Sequence, residues 1–135
     1  MNHLMRPTRA IAMGALTIAA LAQVASARAD EDYNACIAAS EGSNQSWLQC
    51  GNAFVDREKQ KFEAAWKLLI ERQEGRTRDD LLAEHMAWLR FRDVACEFYN
   101  NGDLGREGQV LSYPVCKAQV YADRSGVLES YDEGP

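Results

Sequence analysis

Apolar positions along the chain recur at steps of three and four, the period of an α-helix. The longest such run is Trp47, Cys50, Phe54, Phe62, Trp66, Leu69 and Ile70, with Glu58 at the one missed step. Charged residues such as Lys59, Lys61, Glu63 and Lys67 fall mostly on the other faces. The spacing predicts one long helix over about 44–74, capped by Ser43 or Asn44 and closed by Gly75 just past its last turn. A helix of that length must bury one face, so Trp66 and its apolar neighbours read as core.

Shorter helices flank it. Asp30-Glu31-Asp32 precedes Tyr33 to Ala39, about two turns with acids favourably placed for the helix dipole. Thr77 opens a third helix that carries Leu81, Leu82, His85, Trp88, Leu89, Arg92 and Cys96 to about Tyr99. Asn100-Asn101-Gly102 stops it, and a glycine-containing loop spans Gly102 to Leu111. Ser112 and Pro114 start the last helix, whose expected core face is Cys116, Val120, Arg124, Val127, Leu128 and Tyr131. The best strand candidate, Gln109 to Tyr113, is short and has no obvious partner. The expected class is therefore all-α: a small bundle of a short helix, a long helix and an αα-hairpin, stapled by two disulfides.

The N-terminal segment is read separately. Arg6 and Arg9 head an apolar run from Ala10 to Ala22, and Ala25-Ser26-Ala27 supplies small residues for cleavage. This is the pattern of a secretory signal peptide over 1–27. Ala27-Arg28-Ala29 offers a second site, so cleavage is expected near 27 or 29. The run is short and rich in Ala and Gly, which argues against a retained membrane anchor. The folded domain is then expected over 30–131, with 132–135 a frayed tail.

The chain has 135 residues, 15 Lys+Arg and 20 Asp+Glu, for a net charge of −5; 47% of residues are hydrophobic and 26% charged. That composition fits one globular domain and excludes wholesale disorder. Cleavage after Ala27 leaves 13 Lys+Arg against 20 Asp+Glu, a charge of −7. No basic stripe exists for nucleic acid, and anionic membrane surfaces are disfavoured after cleavage. An acidic domain suits a basic partner through long-range steering.

All four cysteines, Cys36, Cys50, Cys96 and Cys116, lie beyond the leader. An even number in an exported chain reads as two disulfides. Three connectivities are open, and the local spacings of 14 and 20 favour Cys36–Cys50 and Cys96–Cys116. No C-x-x-C or short Cys/His spacing suggests a metal site or a redox motif.

Other chemistry is sparse. His85 is the only His after the leader, and general acid–base work would need a second group within reach. It reads as a satisfied, partly buried core residue. No G-x-S-x-G or phosphate-binding loop is present. Trp88 and Arg92 are four apart on one helix face, so Arg92 is placed to stack on Trp88 and offer its fork to a carboxylate. Arg124 falls on an expected core face, where an unpaired charge is costly. Both arginines are expected to bond to helix-end carbonyls or to Asp93 and Asp123; the functional alternative is an anion held between them.

One block, Leu81-Leu82-x-x-His85-x-Ala87-Trp88-Leu89-x-Phe91-Arg92-Asp93-x-x-Cys96, carries a resemblance. With Cys36 and Cys50 flanking Trp47, Trp66 before Leu68-Leu69, Cys116, and Arg124 with Leu128, it resembles the lysozyme-inhibitor LprI-like N-terminal family of bacterial exported proteins. The resemblance spans about Tyr33 to Tyr131. It implies a small disulfide-bonded helical domain, periplasmic or secreted, with Trp88, Arg92, Asp93 and Arg124 as structural signature residues. The sequence departs from the family pattern at His85, Tyr121 and Trp66, where Gln, Thr and Tyr are usual. The implied function is non-enzymatic protein binding, with lysozyme the implied partner and no cofactor. The alternative is a structural or adaptor module of the cell envelope without lysozyme affinity. Arg106, in the glycine loop, is the candidate partner contact, because lysozymes are commonly basic with a carboxylate-lined cleft.

Overall fold

A computed structural model of the chain describes residues 30–134. The leader, its cleavage sites and Pro135 lie outside the described residues. Six helices follow in order: α1 (Glu31–Ala39), α2 (Asn44–Arg72), α3 (Gly75–Val94), α4 (Glu97–Asn100), α5 (Gly105–Glu107) and α6 (Tyr113–Glu133), with a π-helical turn over Gly108–Ser112. The class is all-α, as expected.

The first two helices are capped from their own sequence. Asp30 accepts from the N–H groups of Asp32 (2.9 Å) and Tyr33 (3.2 Å) at the start of α1. Ser43 accepts from the N–H of Ser46 at 3.1 Å at the start of α2. Each satisfies donors that the first turn leaves free.

The α2 stripe is buried as the periodicity requires, through Cys50, Phe54, Phe62 and Leu69. Glu58 is buried in the same row, and Lys61 donates to its carboxylate at 2.6 Å. Helix α6 runs along this face. Two clusters result: Tyr33, Cys50, Phe54 and Ala118 at the α1 end, and Phe62, Leu69, Leu81, Tyr121 and Leu128 at the other. Val55 touches both.

The face that α6 buries differs from the expected one. Pro114, Ala118, Tyr121, Arg124, Ser125 and Leu128 are buried, whereas Val127 and Tyr131 are exposed. Large apolar side chains dominated the expectation, but close helix approach selects small ones. Gly51 shows why: a Cβ there would lie 2.5 Å from Cγ of Pro114. The rings and small residues interlock where larger groups would hold the helices apart.

Boundaries also differ. Helix α2 ends at Arg72, and Gln73 and Glu74 are extended. Arg78 donates to the carbonyl of Ile70 at 2.6 Å, adding to the bond that carbonyl accepts from the Gln73 N–H at 3.4 Å. Gly75, at φ 54°, therefore begins α3 and does not close α2; Thr77 lies inside the helix it was expected to cap. Helix α3 stops at Val94 instead of reaching Tyr99. Cys96 takes φ 74°, the one non-glycine residue with positive φ among those described, and α4 restarts beyond it.

The expected loop over Gly102–Leu111 is mostly helical, and the strand candidate Gln109–Tyr113 is a π-turn leading directly into α6. Burial of Val110 holds this stretch on the bundle. Gly108 permits the approach: a Cβ on it would meet the Tyr99 carbonyl at 3.0 Å. Ser112 is helical and makes no side-chain cap bond. At the far end α6 continues to Glu133, into the segment expected to fray, and Asp132 accepts from Arg72 at 2.7 Å.

Candidate functional site

Helix α3 joins the α2–α6 pair through long side chains. Leu81, His85, Trp88 and Arg92 fall three or four apart and so share one face. His85 stacks on Trp66 with ring centroids 3.8 Å apart, and Trp88 meets Phe62 at 4.6 Å. Tyr121 of α6 completes the group, 5.6 Å from Phe62 and 5.9 Å from Trp88. Trp66 is thus partly buried and packs against the core, on the face the helix period implied.

Trp88 lies between two cations. The guanidinium carbons of Arg92 and Arg124 each sit 5.9 Å from its ring. Arg92 donates through Nε (3.0 Å) and Nη2 (2.6 Å) to Oδ1 of Asp93. That bond, reinforced by the Tyr121 hydroxyl, raises the Arg92 pKa, with burial opposing it. The expected Arg92–Asp93 pairing is present.

Arg124 departs from expectation. It is 5% exposed and donates through Nη1 to Glu84, whereas Asp123 instead accepts from Gln119. Glu84 also accepts from the hydroxyl of Tyr131 at 3.3 Å. Nε and Nη2 of Arg124 are buried without a hydrogen-bond partner. The Trp88 ring face supplies partial compensation for them. The Arg124–Glu84 bond was invisible in sequence because it joins helices 40 positions apart.

His85 is partly buried, but it is not hydrogen-bond-satisfied as expected: Nδ1 is buried and unpartnered. Its flat ring serves as a stacking surface for Trp66. Burial lowers its pKa, and the Arg124 and Arg92 charges lower it further. Among the described residues no carboxylate bonds to it.

Both disulfides join the expected partners. Cys36 and Cys50 tie α1 to α2 across a Cα separation of 5.7 Å, and Cys96 and Cys116 tie the α3–α4 junction to α6 across 5.8 Å. Such links suit an oxidising compartment. Another tie was missed in the sequence: Arg57 donates through Nε to Asp30 at 3.0 Å, fastening the α1 cap to α2. Burial raises the Asp30 pKa, but the Arg57 bond and the backbone donors outweigh it and leave the group below its ordinary value.

Among the described residues, the surface carries depressions open to solvent. One of about 280 Å³ lies where α2 turns into α3, walled by Leu69, Leu81, Asp80, Glu84 and Tyr131. Its two carboxylates are not a free pair, since Glu84 already serves Arg124 and Tyr131. Another, about 570 Å³, is a shallow groove beside Tyr33, Tyr99 and Val115. Among the described residues no group of three or more metal-binding side chains converges, and no helix is long and apolar enough to cross a membrane. Arg106 stands exposed on α5, and its Nη1 donates to Gln109 at 3.2 Å.

Comparison with protein families resolves the kinship. The model of lysozyme inhibitor LprI matches residues 12–128. The chain belongs to the lysozyme inhibitor LprI family. No curated protein and no solved structure matches it. Within this LprI-family chain, the Trp88, Arg92 and Asp93 block and Arg124 meet around one aromatic centre, and Arg106 sits on α5, bonded to Gln109.

Proposed function

We propose that this LprI-family protein is exported, loses a leader ending near residue 27 or 29, and inhibits lysozyme by binding it without catalysis. The observation that carries this reading is the family match over residues 12–128. Charge supports it. The chain beyond Ala27 carries 13 Lys+Arg against 20 Asp+Glu, a net charge of −7, which steers a basic partner toward it. The two disulfides fit the oxidising compartments in which lysozymes act. Arg106 remains the candidate side chain for a carboxylate-lined cleft, since it is exposed and, among the described residues, pairs with the neutral Gln109 and with no carboxylate.

The test is a bacterial-wall lysis assay with basic lysozymes of several types, run at low and moderate salt with micromolar purified protein. Saturable inhibition is expected with at least one type. Unchanged lysis with all of them would reject the reading and leave an envelope adaptor as the better account.

A further inference from the structure

The junction between α3 and α4 is unusual in two ways at once. Its backbone is braced, and two large apolar side chains beside it are exposed. Cys96, at φ 74°, occupies a region that side-chain-bearing residues rarely adopt. Such a conformation persists only where its surroundings fix it. Three ties from α6 do so here. Cys116 bonds to Cys96, Lys117 donates to the carbonyl of Arg92 at 2.5 Å, and the Tyr113 hydroxyl donates to Glu97 at 3.2 Å.

On either side of this fixed point stand Val94, 69% exposed, and Phe98, 67% exposed. Phe91, one turn before Val94, and Leu104 are also exposed. Isolated exposed apolar residues are ordinary; here four fall within 14 positions around a braced kink. A rigid apolar centre loses little conformational freedom on binding, which is the property of an interface anchor.

Charge selects the occupant. From Phe91 to Glu107 the chain carries Asp93, Glu97, Asp103 and Glu107 against Arg92 and Arg106, with Lys117 of α6 beside them, so acids remain in excess. A second copy would set these acids against themselves, and an anionic lipid surface would repel them. A basic protein surface with an apolar patch meets both the centre and the rim.

We propose that the Val94–Phe98 corner is the docking surface for a basic protein partner. This rests on the lysozyme reading and places the contact within it. The partner seats an apolar patch on Val94 and Phe98, while its cations face Glu97, Asp103 and Glu107.

The experiment is a binding titration of the full disulfide-bonded protein with a basic lysozyme, comparing wild type with Val94→Ser/Phe98→Ser. Both sites are exposed, so the thermal midpoint should stay within a few degrees; Phe98→Ala alone serves if the double variant does not fold. The expected result is an affinity loss of about 10-fold or more. Full binding by the variant overturns this inference and leaves the lysozyme reading standing. Failure of the wild type to bind any basic lysozyme overturns that reading and the inference together. A concentration-dependent dimer that the substitutions dissolve assigns the corner to a second copy and overturns the inference.

Discussion

Arg124 reaches across the bundle from α6 to the carboxylate of Glu84 on α3, and the same guanidinium lies over the Trp88 ring. The charge is buried while its carboxylate partner remains partly open to water. Removing the carboxylate should therefore hurt more than removing both members. Glu84→Ala is expected to cost about 1–3 kcal/mol, because it strands a buried cation. Adding Arg124→Met to that variant should restore much of the loss. Urea unfolding of the two single variants and the double variant measures this coupling.

Gly51 and Pro114 make a second sharp prediction. Gly51→Ala places a methyl 2.5 Å from the proline ring. Overpacking of this kind costs about 1–3 kcal/mol. Pro114→Ala in the same chain should relieve part of it, giving a double variant more stable than Gly51→Ala alone. Equal midpoints for Gly51→Ala and wild type in thermal unfolding would contradict the close approach of α2 and α6.

His85 should make stability depend on pH. Burial, then Arg124 and Arg92, hold its folded pKa below the ordinary 6.5. The unfolded chain therefore takes up the proton first as pH falls. The stabilisation is complete above about 6.5 and declines as pH drops toward and through the folded value. Asp30 acts in a separate window, because its folded pKa lies below 3.8: its contribution is complete above that ordinary value and fades as pH falls below it toward and through the depressed one. His85→Gln should abolish the upper decline and leave the lower one, as read from unfolding midpoints across pH 3–8.

These predictions divide along what the sequence made legible. Trp47, Cys50, Phe54 and Phe62 announced α2 because a helix repeats its buried face every three or four residues, and even the buried Glu58 fell in step. The cysteine pairing was legible because both bridges are local. Helix α6 itself was legible from Ser112 and Pro114, and Arg124 and Leu128 lie on its buried face as expected; the rest of that face was not, because Ala118 and Ser125 are buried through smallness and no hydrophobic period marks that. Arg57–Asp30 and Arg124–Glu84 join residues 27 and 40 positions apart, where sequence carries no register. The left-handed Cys96 was hidden too, since nothing in a cysteine's identity signals positive φ.

Salt should reveal the role of charge. If acidic residues steer the partner, the association rate with a basic lysozyme falls as ionic strength rises, while dissociation changes less. Stopped-flow mixing at two salt concentrations separates these rates. An association rate indifferent to salt would remove the electrostatic part of the account.

The most direct measurement compares bacterial-wall lysis by lysozyme in the presence of the oxidised protein and of the same protein reduced and alkylated. The oxidised form should suppress lysis to a plateau at a defined ratio of protein to enzyme, and the reduced form, its corner and α1 released, should suppress it far less. Undiminished lysis with the oxidised protein at every ratio would contradict the central claim that this disulfide-braced bundle is an inhibitor.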